Sequence, residues 1–483
     1  MAFPLEHTIT PPSSGDHKVD SSTMIEHIGD YDHGQLPLNS SLTQRTTKLM
    51  AFFSFWVALG GWLVNFDLGY TGIVLQMQPF NRAFGSCAMV PVAGAAHGVT
   101  VEKCSLSATQ QSVISIYVLF MALGGGLTSI AGSYFGRRTV IQLSAIPIII
   151  GAAGMLGTEG HYPGYIVCKC IGGLGIGLLS TTAPIYGAEC TPSKRRGLLV
   201  SVYGIGLALG AVVVASVCLG SSRFLNNWAW RIPILCQIPV AIIYAAGLMI
   251  FPESPRWLLI KGKEEKARKS FGRFYNKDPH SEEVNTQIYD IQATLELEKS
   301  MSASWLEIFH KKYRRRTFTS TGCIVGSALS GVNFIVPYAT IFLADVGIKN
   351  PYDITVYLDL CILAGCIVGP IPCQYLGRRR TLLTGYVSMA VCMLIFSATT
   401  TALGATNTSA QHVLVAFLCI WNFLFGSLNA STVWLASVEQ HSVRHRTYGQ
   451  AFTITVSYCF NFASNFWTPY MINKKYGNMG LST

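Results

Sequence analysis

Apolar runs dominate this chain, and each is long enough to cross a lipid bilayer as a helix. They fall at roughly 50–76, 108–130, 138–157, 162–187, 198–219, 232–251, 318–344, 354–376, 381–402, 411–437 and 449–472, where about 20 residues of helix suffice for ~30 Å of hydrocarbon. No water is present in that layer to satisfy peptide N–H and C=O groups, so only helices and closed barrels can span it. Runs of this length therefore predict an all-α membrane protein with these eleven spans. Half of the residues are hydrophobic, only 12% are charged and the mean hydropathy is +0.38. A large soluble protein would carry shorter helices with one polar face.

Two charged patterns are each written twice. Glu189-Cys-Thr-Pro-Ser-Lys-Arg-Arg196 follows the fourth run, and Glu439-Gln-His-Ser-Val-Arg-His-Arg446 follows the tenth. Gly136-Arg137-Arg138 and Gly377-Arg378-Arg379-Arg380 each sit between two runs. Two membrane-embedded halves bearing the same hinges are the plan of a carrier that rocks one half against the other around a central site.

Basic residues set the orientation. Arg137, Arg138, Lys194, Arg195, Arg196, Arg378 to Arg380, Arg444 and Arg446 share one side if the helices alternate, whereas Arg223 and Arg231 fall on the other. The crowded side is read as cytoplasmic, and the net charge of +11 follows from this rule and from anionic lipid headgroups. No nucleic-acid partner is needed. The tail at 1–45 has no apolar core and reads as a disordered cytoplasmic segment. Residues 46–251 form a first bundle of six spans, and 252–317, with mixed charge in helical patterns, form a cytoplasmic linker with short helices. Residues 318–483 form a second bundle in which five helices are visible, with no twelfth span; counted this way, the C-terminus lies outside.

Most of the fourteen cysteines lie in apolar runs, where Cys acts as a small hydrophobe. Cys87 and Cys104 instead share the loop between the first two runs, where a disulfide is one of two readings. Asn407-Thr-Ser409 is a glycosylation sequon in an expected external loop. The scattered histidines make no metal site, and no cofactor is expected. With no nucleophile elbow, phosphate loop or metal spacing, nothing supports an enzyme.

Longer patterns then identify a family. Pro184-Ile-Tyr-Gly-Ala-Glu189-x-x-Pro192-x-x-x-Arg196-Gly197, Pro252-Glu-Ser-Pro-Arg-Trp-Leu258 and the two Gly-Arg-Arg loops resemble the sugar porter branch of the major facilitator superfamily, and within it fungal sugar or secondary-metabolite permeases. The resemblance covers roughly 50–483. It implies two pseudo-symmetric six-helix bundles, a small-molecule solute held between them, and alternating access in a multi-pass plasma-membrane protein. The family acid three positions before each Gly-Arg-Arg is Ser133 in the first loop and Gln374 in the second.

The resemblance also assigns roles. Arg137, Arg138, Glu189 and Arg196, with Arg378, Arg379, Glu439 and Arg446, form a cytoplasmic gate in which Glu189 is expected to meet Arg138 or Arg196, and Glu439 to meet Arg379 or Arg446. Two ionisable residues stand out in mid-span, where burial costs at least ~2.5 kcal/mol. Asp67, in the family's aromatic-Asp-x-Gly pattern, and Lys169, where the family has Arg, are read as the proton-coupling pair, Lys169 being released when Asp67 is protonated. A static ion pair is the plainer reading. Gly173, Gly175 and Gly177 mark close helix packing. The family's sugar-binding glutamines are replaced by Gly204 and by Ser327-Ala328, leaving Asn333, Tyr338, Trp434 and Asn461 as candidate solute ligands. Three functions compete: a proton-driven transporter of a sugar or sugar-like solute, a transporter of a non-sugar secondary metabolite, and a non-transporting sensor or inactive paralogue.

Overall fold

The computed structural model describes residues 47–91, 100–191, 196–300, 305–333, 335–336, 340, 343, 350–403, 408–441 and 446–472. Tyr338, Asn407, the 1–45 tail and residues 473–483 lie outside these, as do the side chains of Arg196 and Arg446.

The described chain is helical apart from one hairpin. Helix α1 (Lys48–Val74) leads through a short α2 (Gln78–Phe84) to strands β1 (Ser86–Pro91) and β2 (Thr100–Ser105). Then come α3 (Ala108–Ile114), α4 (Tyr117–Phe135), α5 (Arg137–Leu156), α6 (Tyr162–Cys190), α7 (Arg196–Ser221) and α8 (Trp228–Gly247). Three shorter helices follow, α9 (Pro255–Ile260), α10 (Glu264–Tyr275) and α11 (Glu282–Ser300). The second half comprises α12 (Arg314–Ser327), α13 (Pro351–Val368), α14 (Pro370–Tyr375), α15 (Arg378–Leu403), α16 (Thr408–Leu424), α17 (Ser431–Gln440) and α18 (Arg446–Ile472). β1 and β2 pair antiparallel with Cys87 opposite Cys104, and the two are joined by a disulfide.

Among the described residues, nine helices are long and apolar enough to cross a membrane. Two expected runs are not among them. Part of the run at 318–344 lies outside the described residues, and the described part carries a π turn over Ala328–Val332, in which Gly331 takes φ 100°. The run at 449–472 does form a helix, α18 of 27 residues, but Gln450, Thr453, Ser457, Asn461, Ser464, Asn465 and Thr468 dilute its apolar character. A second π turn, Phe425–Ala430, lies between α16 and α17.

In hydrocarbon, helix association relies on van der Waals contact and on small residues that let backbones approach. A Cβ added to Gly206 or Gly210 of α7 would lie 2.1 or 2.3 Å from the Ala58 or Trp62 carbonyl of α1. A Cβ on Gly177 or Gly173 of α6 would lie 2.1 or 2.9 Å from the Met121 or Tyr117 carbonyl of α4, and one on Gly175 2.7 Å from the Ser144 carbonyl of α5. The first half builds one large core that also takes in Phe271, Phe274 and Ile288 of the 252–317 segment. That segment is tied down by polar bonds as well. Thr47 Oγ1, which caps α1, donates to the Phe274 carbonyl, and Trp257 Nε1 donates to the Ser133 carbonyl. Tyr352 and Val356 of α13, and Tyr458 and Phe462 of α18, pack on the same core and join the halves.

Gly206→Val therefore forces backbones apart and should cost about 1–3 kcal/mol or more. Gly204→Ala adds a Cβ that meets nothing within 4 Å and should leave stability nearly unchanged. Thermal unfolding of the two purified variants in one detergent makes the comparison.

Candidate functional site

The deepest charge in the described residues is a caged pair. Lys169 of α6 and Asp67 of α1 each retain only 2% of their surface, and Nζ lies 3.0 Å from Asp67 Oδ1. Nζ also donates to the Asp67 carbonyl at 3.2 Å and to the Tyr70 hydroxyl at 2.8 Å, so all three ammonium donors are engaged. The rings of Tyr70 and Tyr117 lie 4.1 and 4.7 Å from the cation, where a desolvated ammonium gains about 2 kcal/mol from an aromatic face. Gln237 of α8 donates to Asp67 Oδ1 at 3.0 Å. Asp67 Oδ2 is buried with no partner among the described residues.

Beside the carboxylate, its one counter-charge among the described residues, Nζ holds a carbonyl, a phenol and two ring faces.

The arginine motifs act through their glycines. Gly136 and Gly377 take φ 92° and 75°, a region costly for residues with a Cβ, and the arginine after each begins the next helix. Arg137 grips Glu189 with Nε and Nη2, each 3.1 Å from a carboxylate oxygen, while its Nη1 donates to the Gly132 carbonyl. Ser254 Oγ donates to Glu189 at 2.5 Å. Glu253 Oε1 accepts the peptide N–H groups of Arg137, Arg138 and Ser254 at 2.9, 3.0 and 2.9 Å, capping α5 as an anion should. In the second half Arg378 makes the equivalent fork to Glu439, at 3.1 and 3.0 Å.

The partners thus differ from those expected. Arg137 and Arg378, the first arginine after each glycine, take the acids; Arg138 instead donates to the Phe251 carbonyl. Both ion pairs lie within one half, so each braces its own bundle. They also differ in environment: the Arg137 and Glu189 side chains are 19% and 12% exposed, Arg378 and Glu439 45% and 43%.

Of the candidate solute ligands, Asn333 and Asn461 meet, Asn333 Nδ2 donating to Asn461 Oδ1 at 2.6 Å and to the Ala328 carbonyl at 3.1 Å. This clasp ties the residue after the α12 break to the middle of α18. Trp434, on α17, is 45% exposed. Beside them, Tyr458 of α18 reaches across to Ser180 of α6, oxygen to oxygen 3.4 Å. Sequence reasoning passes over Gln237, Tyr70, Tyr117 and the roles of Glu253 and Ser254. For Gln237 the signal is an amide in an apolar run, and for Glu253 and Ser254 it is the Pro-Glu-Ser-Pro motif itself.

Two halves of long helices, a sealed acid–base pair and a repeated arginine hinge define a multi-pass membrane protein of the all-helical major facilitator fold. Residues 53–481 match the family of sugar (and other) transporters, and the chain belongs to that family, in the sugar porter branch of the superfamily. It is 29% identical over 419 residues to a probable glucose transporter of Neurospora crassa, covering 86% of this chain and 69% of that one. It is likewise 29% identical over 444 residues to the major facilitator-type transporter EcdD of Aspergillus rugulosus, with 88% and 79% covered. Its fold matches the xylose transporter XylE from E. coli, in a partially occluded inward-open conformation, with a TM-score of 0.71 at 19% identity over 89% of this chain and 92% of that one.

The unequal burial of the two braces sets their weights. Glu189→Gln leaves Arg137 in a largely dry site and should cost about 3 kcal/mol, whereas Glu439→Gln breaks a wet pair worth about 0–1 kcal/mol. Thermal unfolding of both variants tests the order.

Proposed function

We propose that the protein is a secondary active transporter that moves a sugar or sugar-like small solute across a membrane by alternating access, driven by protons. The observation that carries this reading is the Asp67–Lys169 cage. A carboxylate with one oxygen held by Lys169 and Gln237 and the other without a partner among the described residues, beside a cation that also has a carbonyl, a phenol and two ring faces, can gain and lose a proton without dismantling the bundle. The family match and the fungal relatives supply the solute class, and the XylE fold match supplies the two-state architecture. Asn333 and Asn461, at the repeat interface where such carriers hold substrate, together with Tyr338 and Trp434, are the residues proposed to contact solute. The braces at the arginine end, with Arg138, Arg196, Arg379 and Arg446 around them, govern interchange of the two states.

In this reading the arginine end, the 1–45 tail and the 252–317 linker face the cytoplasm of a plasma-membrane protein, and the hairpin and Asn407 face outside. The broken helix around Gly331 and α18 cross as well, completing eleven spans in two bundles surrounded by lipid.

A second reading is favoured by one position. Gly204 replaces the family's solute-binding amide, and a Cβ there would meet nothing within 4 Å. The space and the lost donor suit a bulkier, less hydroxylated solute, as in a transporter of a non-sugar secondary metabolite.

Uptake of a radiolabelled panel of hexoses, pentoses and cyclic metabolites in transporter-null cells, with and without an uncoupler, tests both. Accumulation of one solute that collapses with uncoupler is the expected result. Asp67→Asn should abolish accumulation against a gradient while leaving exchange of preloaded solute within a few-fold of wild type. Unchanged accumulation in that variant would make the cage purely structural.

A further inference from the structure

A third ionisable side chain lies in mid-span, outside every motif. Asp359 belongs to α13, and only 8% of its surface is exposed. It lies on the same helix face as Tyr352 and Val356, at spacings of four and three residues. Those two side chains pack on the core of the first half, so this face of α13 is turned toward the opposing bundle. Across from it runs the small-residue face of α7, Ala208, Ala211, Ala215 and Cys218, all buried. α7 and α13 pack directly against one another, and Cys218 stands on this face of α7.

Asp359 differs from Asp67 in having no ion pair or hydrogen bond among the described residues. Among the described residues, the charged and titratable groups on the elements packed against α13 offer no cation in reach. From α7 the facing group is Cys218, and Arg196 stands at the helix's far end. From α16 they are His412, which is exposed, and Cys419, which lies against Cys361 of α13 itself. The short α14 brings Cys373, and the π turn Phe425–Ala430 brings none.

A carboxylate charge at this depth costs at least ~2.5 kcal/mol on insertion scales. With no partner to offset that cost, the packed α7–α13 seam disfavours the charged carboxylate. Any state in which the two helices separate admits water and lets the carboxyl ionise. Proton binding at this position and closure of the α7–α13 seam are therefore linked, in the sense that whatever binds one state preferentially stabilises it.

We propose that Asp359 is a second proton-binding site, seated between the two halves, which takes up a proton as the seam closes and releases it as the seam opens. This deepens the proton-driven reading above and rests on it for its physiological meaning. The linkage itself is a property of the apo protein. The sign follows directly: the closed state binds one more proton, so acid favours closure and rising pH favours opening. For one linked proton the open-to-closed ratio rises by up to about tenfold per pH unit between the two states' pKa values.

The test uses the full-length protein in lipid nanodiscs, with donor and acceptor fluorophores introduced as noncanonical amino acids at Leu225, after α7, and Asn350, before α13. Single-molecule energy transfer is followed from pH 5 to pH 8.5 without solute. Wild type should shift from high to low transfer as pH rises. Asp359→Asn should stay at high transfer throughout, and Asp359→Glu should restore a pH-dependent shift, which shows that the site tolerates substitution. A pH-independent wild type, or a full response in Asp359→Asn, overturns the proposal. Because no solute is present, that result leaves the solute reading standing. Conversely, a correct fluorescence pattern with no uncoupler-sensitive uptake of any solute would sink the transport reading alone.

Discussion

An ammonium group with 2% of its surface exposed constrains everything around it. Lys169 has no water to fall back on, so α1 must deliver a carboxylate and a backbone carbonyl, α4 a ring and α8 an amide to the carboxylate. Four helices converge on one nitrogen and its counter-ion. The glycine contacts on α4, α6 and α7 let the backbones come near enough for this, since a longer side chain at Gly177 or Gly206 would hold the helices off. Packing and charge satisfaction are here the same requirement, met along the same helix faces.

The halves repeat a motif without repeating its environment. In the first, the arginine fork is flanked by Glu253 and Ser254 and covered by the 252–317 helices, whose aromatic residues belong to that bundle's core. In the second, the same fork stands nearly half exposed. Most of the linker thus moves as part of the first bundle, while Thr317 and Phe309 attach its last turn to the second, through the Ile308 carbonyl and the ring of Phe452. A bundle carrying its own helical cap can turn against the other as a solid body.

Much of this was legible in the sequence, and the limits have physical causes. Hydrocarbon thickness imposes run length, so spans such as Arg137–Leu156 and Pro351–Tyr375 stand out without a structure. Asp67 and Lys169 were legible because a charge in an apolar run needs a partner. The partner of Glu189 was not, because choosing among three arginines depends on where α5 begins, and that is fixed by the positive φ of Gly136. Glu253 reaches peptide groups 115 and 116 positions away, a contact that spacing does not encode. Tyr70 and Tyr117 resemble any core aromatic until a cation is placed over them. The π turns at Ala328–Val332 and Phe425–Ala430 leave apolar patterning unchanged, so neither broken helix was foreseeable. Asp359 carried the same signal as Asp67 but belongs to no recognisable pattern.

The polar face of α18 has a consequence for how the protein is made. Thr453 of this helix joins Ser320, Thr321 and Ser437 in a ladder of hydroxyls between α12, α17 and α18, and Gln450 and Asn461 extend its polar contacts. Among the described residues, the Gln450, Thr453 and Asn461 side chains of α18 each bond to a neighbour that precedes them in the chain. Alone in lipid, the same side chains would be desolvated without partners. This segment therefore has little reason to leave the insertion machinery sideways by itself, and good reason to wait until α12 and α17 are in place to receive it. The order of synthesis supplies that condition, since both are already made when α18 emerges. If α18 crosses, as proposed above, its membrane entry is in this sense an assembly step, and mutations in Ser320 or Ser437 would surface first as failures of biogenesis.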